Sequence, residues 1–202
     1  MLGGADQESD TNDTIADWRE KPVLAVRDSE ETLEMWSRSE ALSPKLRNSL
    51  SQANALIVPF VGYGEREDVR YFPEGTEELL HALRSRAGEK LIADICVDDE
   101  DYQELDLHAD ELRMAKIVFD YVVWPIVVNV LHDLAKRWRS ARTSRLRVKS
   151  KIVVTRTPSG RSVEIEYDGP ASVYGDSLRR ALEGIGEKGE GTRPEHDETP
   201  GD

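Results

Sequence analysis

The segment Ile117 to Leu131, IVFDYVVWPIVVNVL, is the only long apolar run in a chain in which 33% of the residues are charged. Acidic residues crowd in front of it, from Asp94 and Asp98 through Asp110 and Glu111. Basic residues follow it: Lys136, Arg137, Arg139, Arg142, Arg145, Arg147, Lys149 and Lys151, with no acid among them. So apolar a stretch must leave water, and it can do so in its own core, against another chain or in lipid.

Taken at helical spacing, Met114, Ile117, Tyr121, Trp124, Val128, Leu131, Ala135 and Trp138 fall on one stripe, and Phe119, Val123, Ile126, Val127, Val130 and Leu134 make much of the other face apolar. The spacing predicts a helix over 110–138, with 114–138 as its apolar part. A membrane reading gains from Pro125, which costs a soluble helix about 3 kcal/mol but is tolerated in transmembrane helices. The basic run after it resembles a cytoplasmic flank. Against insertion stand the length, 15 residues where roughly 20 are needed, and Asp120, which costs about 2.5–3.5 kcal/mol near a bilayer centre. The preferred expectation is a soluble helix that docks on a second copy or a protein partner. Tyr121, Trp124, Val128, Leu131 and Trp138 are its anchors, and Asn129 is a candidate for a helix–helix seam. A membrane-associated protein that inserts or docks the same helix is the alternative.

The net charge of -13 is carried mostly by the ends. Residues 1–20 and 183–202 hold -5 each, which leaves -3 for 21–182. The ends are expected to be disordered acidic tails around a single α/β domain at 21–182, and their charge disfavours nucleic acid. Cys96 is the only cysteine, so no internal disulfide can form, and its apolar surroundings suggest a buried, inert thiol. With no basic-then-apolar leader pattern at the N-terminus, the expected compartment is the cytoplasm.

Asp28 and Glu31 have capping-box spacing and predict a short helix over 28–36. Ser43-Pro44 opens a second helix with Leu46, Leu50 and Ala53 on its apolar face. ALIVPFVGYG reads as a strand that Pro59 confines to an edge or a strand end. Thr76 is expected to cap a helix, TEELLHALRSRAG, that Gly88 ends. Lys90–Val97 alternates as a strand. After the long helix, RLRVKSKIVVTR and SVEIEYD are two strands joined by Thr157-Pro158-Ser159-Gly160, and Ser172–Leu182 is a last helix. The fold class is α/β or α+β: a small mixed sheet with a C-terminal β-hairpin plus helix, and one long apolar central helix.

Signals of chemistry are sparse. Asp94, Asp98 and Asp99 lie at a strand end where hard oxygen ligands could hold Mg²⁺ or Ca²⁺, which would make a metal-dependent enzyme, although a solvated linker explains them as well. The four histidines show no ligand spacing. Gly62-Tyr63-Gly64 reads as a turn. Arg139, Arg142, Arg145 and Arg147 are candidate anion contacts. On the hairpin, pairing Thr155 with Glu164, Val153 with Glu166 and Lys151 with Asp168 would neutralise part of the basic strand. No aromatic residue interleaves with these cations, so base stacking is disfavoured. The expected function is a non-enzymatic soluble binding or interaction protein, without a cofactor, that assembles with itself or a protein partner.

Overall fold

A computed structural model describes residues 21–63, 66–86, 90–105, 111–141 and 146–190. Gly64, Gly88, Arg142, Arg145, the tail at 1–20 and residues 191–202 fall outside them, whereas 183–190, expected as part of the disordered C-terminal tail, are helical. Along the chain come β1 (Val23–Ser29), α1 (Leu33–Ser37), α2 (Pro44–Leu50), β2 (Ala55–Val58), β3 (Phe60–Tyr63), β4 (Arg66–Pro73), α3 (Thr76–Arg86), β5 (Ala93–Ile95), β6 (Glu104–Leu105), β7 (Glu111–Arg113), β8 (Lys116–Asp120), α4 (Trp124–Ala141), β9 (Arg147–Thr155), β10 (Ser162–Pro170) and α5 (Tyr174–Glu190). The expected mixed α/β class holds.

The apolar run does not stay helical. Its first part is β8, which pairs parallel to β9 and antiparallel to β2 in the middle of the main sheet. At Asp120 the strand ends: the carboxylate accepts a hydrogen bond from the Val122 N–H and starts a single 3-10 turn, Tyr121–Val123. The helix α4 then opens at Trp124, so Pro125 lies in its first turn, where no N–H is needed, and the expected interior penalty does not arise. Asn129 is exposed on α4, so it forms no buried seam. Among the described residues no helix is long and apolar enough to cross a membrane.

The main sheet runs β1-β10-β9-β8-β2-β5, with β7 added beside β9. Two βαβ crossovers build its centre, β2 to β5 through α3 and β8 to β9 through α4, which is why these pairs are parallel. On one face, Ile57, Ile117, Phe119, Ile152 and Ile165 pack against Leu79, Leu83, Val128, Leu131, Leu134 and Leu178 of α3, α4 and α5. On the other, Leu56, Val58, Val118 and Val153 pack against Leu33 of α1, Leu42 before α2, Leu50 of α2, and Cys96. The helical layer on this second face is short: it covers Val153 but leaves the first part of β9, with Lys149 and Lys151, and the neighbouring β10 and β1 more open. Outside it, β3, β4 and β6 make a separate three-stranded sheet.

Local expectations fare unevenly. Ser43 caps α2 as expected, accepting from the Leu46 N–H at 3.2 Å, with Pro44 in the first turn. Pro59 ends β2 as expected, but β2 lies inside the sheet. Asp28 belongs to β1 instead of opening a helix, and Thr32 caps α1. Thr76 does not cap α3 with its side chain: its buried hydroxyl donates to the Pro73 carbonyl, and the Gly75 carbonyl accepts the first helical bond, from Leu79. The last helix runs on to Glu190.

Candidate interaction surface

The expected docking helix is covered by its own domain. Val128 and Leu131 are fully buried, beside Val127, Val130 and Leu134. Trp138 is half-buried and donates its Nε1–H to Glu78 of α3 at 2.8 Å, with its ring against Gly75. Tyr121 and Trp124 are half-buried against the same core, and the Tyr121 hydroxyl lies next to Gly186 of α5. Glycines in α5 let the two helices approach closely: a Cβ at Gly175 would lie 2.1 Å from His132 Nδ1. The strand–helix break lets one apolar run serve two layers, so the domain covers most of it and leaves Val122 exposed at 75%.

Of the four anion candidates, Arg142 and Arg145 lie outside the described residues, and the other two sit on different elements. Arg147 pairs with Asp168 at 2.6 Å on the open sheet face, and Arg139 lies on the last turn of α4. The hairpin pairs with Lys151 opposite Glu166 and Lys149 opposite Asp168, two residues from the expected register. The cause is a longer turn over 156–161, closed by Gly160 N–H to the Thr157 carbonyl at 2.7 Å, with Arg156 and Gly160 at positive φ. A shift of two keeps each side chain on its face, so the neutralisation holds. Lys149 meets Glu111 at 2.8 Å, and Lys151 meets Glu164 at 3.0 Å and Glu166 at 3.4 Å. Partial burial pulls the Lys151 ammonium down, but Glu164 and Glu166 outweigh it and hold its pKa above the usual lysine value.

Two of the three acidic candidates, Asp94 and Asp98, are likewise taken up by structure. Asp94 binds Arg84 at 2.7 Å. Asp98 accepts from both the Ser43 N–H and its hydroxyl, at 2.8 and 2.5 Å, and those bonds hold its carboxyl below the usual aspartate range. Asp99 is exposed in a 3-10 turn. Among the described residues no group of three or more His, Cys, Asp or Glu is placed to hold a metal. Cys96 is buried, donates to the Trp36 carbonyl at 3.3 Å, and has its thiol pushed up to about 12 by desolvation, which makes it a poor nucleophile. A groove of about 370 Å³ between α3 and α4 is spanned by the ion pairs Arg86–Asp133 and Arg137–Glu78.

What stands open is β1, an end strand of the main sheet. It pairs along its whole length with β10, from Val23 opposite Asp168 to Ser29 opposite Ser162. Among the described residues its other edge has no strand beside it. Val23 is 64%, Leu24 39% and Val26 47% exposed, so apolar side chains project into solvent from both faces of one strand. Its two charged residues are already matched within the chain, Arg27 to Glu166 at 3.2 Å and Asp28 to Arg161 at 3.1 Å. Beside β1, a cavity of about 290 Å³ runs over β9 and β10 to Phe60 and Arg113, whose guanidinium lies over the Phe60 ring at 5.9 Å.

Sequence reasoning missed β1. The signal was the short run Val23-Leu24-Ala25-Val26 after Pro22, rich in β-branched residues, which the capping-box spacing of Asp28 and Glu31 overshadowed. Compared with known proteins, the chain matches no family model, no curated protein and no solved structure.

Proposed function

We propose that this is a non-enzymatic interaction protein of the cytoplasm that docks by strand addition at the free edge of β1. The carrying observation is that edge: seven residues, exposed apolar side chains on both faces and no unmatched charge. Natural sheets blunt such edges with lysine, proline or a bulge, because unpaired N–H and C=O groups recruit another strand. Between Val23 and Ser29 there is no lysine or proline, and the pairing with β10 has no register shift. Backbone hydrogen bonds would supply the affinity, and Val23, Leu24 and Val26 would supply the specificity. The taken-up carboxylates and the inert thiol favour binding over catalysis. The single buried thiol suits a reducing compartment.

A photo-crosslinking amino acid placed at Val26 in cells tests the reading, with the exposed Asn129 of α4 as control. Adducts from Val26 and none from Asn129 are expected. Equal labelling from both positions, or none from Val26, refutes docking at this edge.

A further inference from the structure

Resting on the edge reading of β1, we infer that the strand added there is β1 of a second copy of this chain, antiparallel, so that two main sheets join into one. A two-fold axis normal to the sheet reverses both the strand direction and the edge direction, and it keeps the same face upward. The contact is then isologous and closes at two copies. The two α3–α4–α5 layers end on one side of the joined sheet and the two more open faces on the other.

Because both copies keep the same face up, residues opposite each other must share their face, which restricts the register to even sums. Of these, the register centred on Ala25 sets Leu24 of one copy opposite Val26 of the other, twice by symmetry. It thereby covers the two side chains that project on the helix side at 39% and 47% exposure. On the open face it sets Val23 against the aliphatic stem of Arg27 of the second copy. The register centred on Val26 would place Leu24 opposite Asp28 and is disfavoured.

Charge also selects a second copy. Arg27 and Asp28 have partners on β10 and in the adjoining turn, so two β1 strands meet with no new unpaired charge. A strongly basic or acidic partner strand would find no complementary charge at this edge.

Light scattering on the full chain over a concentration series tests the inference. The mass should rise toward twice 22.8 kDa, and Leu24→Lys/Val26→Lys should weaken association at least ten-fold while leaving the thermal unfolding of the protomer near that of wild type. A wild-type chain that stays at 22.8 kDa at every concentration, or a dimer that survives the double substitution, overturns self-pairing. If the variant does not fold, the crosslink from Val26 decides. An adduct of two copies supports the dimer, and an adduct with a different chain overturns it while leaving β1 as the docking edge. A monomer with no adduct from Val26 removes both readings.

Discussion

At the residue scale the chain places charges where each has a defined task. Lys116 is buried on β8, yet it pairs with Glu31 and lies 5.7 Å over the Trp36 ring, whose Nε1–H donates to the same carboxylate at 2.8 Å. Removing one member of a buried pair strands the other, whereas replacing the cation by a similar apolar shape does not. Glu31→Ala is therefore expected to cost up to about 3 kcal/mol, the low end of the range for breaking buried pairs because Glu31 keeps 26% exposure. Lys116→Met should be near neutral, and urea unfolding of both variants checks the contrast. Asp98 has its folded pKa depressed by the Ser43 bonds, and Glu34 has its own lowered by its backbone hydrogen bond and by Arg156. A depressed carboxyl pKa contributes stability above the unfolded value, and that contribution disappears as pH falls through the folded one. The unfolding midpoint should fall below about pH 4.5, the ordinary value for Glu34. Ser43→Ala, which also removes a helix cap at a cost of about 1 kcal/mol, should show a shallower acid loss. An unchanged pH profile in Ser43→Ala would show that Asp98 is not held by this hydroxyl.

Elements in this protein owe their limits to partners as much as to propensity. The apolar run changes from strand to helix because Asp120 can close a 3-10 turn and Pro125 fits a first helical turn, while β2 and β9 wait on either side of β8. Arg156 reinforces the corner by pairing with Asp120 at 3.1 Å and with Glu34. Between α4 and α5 the spacing is set by glycine. A Cβ at Gly175 would meet His132 Nδ1 at 2.1 Å and His132 Cβ at 2.7 Å, whereas one at Gly184 meets nothing within 4 Å. Gly175→Ala should then destabilise by about 1–3 kcal/mol through overpacking. Gly184→Ala should stabilise by up to about 1 kcal/mol through helix propensity. Melting temperatures moving in opposite directions would check the pair, and a shared direction would contradict the helix spacing described.

For the whole molecule, both core clusters share β2, β8 and β9, so they should unfold together. Leu131→Ala on the three-helix side and Leu50→Ala on the two-helix side should each cost about 2–5 kcal/mol in a single urea transition of unchanged slope. Val128→Asp, which a docking helix would tolerate as a folded monomer, should abolish folding, since Val128 is fully buried. Two separate transitions would contradict the shared sheet. Residue patterning alone told that Ile117–Leu131 must be hidden, that Ser43-Pro44 starts a helix and that 147–168 forms a charged hairpin face. Those signals act within a few residues, through caps, prolines and alternation. The tertiary structure decided where that run turns from strand to helix, that Asp98 serves Ser43 55 positions away, and that β1 pairs with β10 at the end of the main sheet. Each of these depends on a partner distant in the chain: β1 forms because β10 presents a ladder for it, and no local propensity in Val23–Ser29 announces that neighbour.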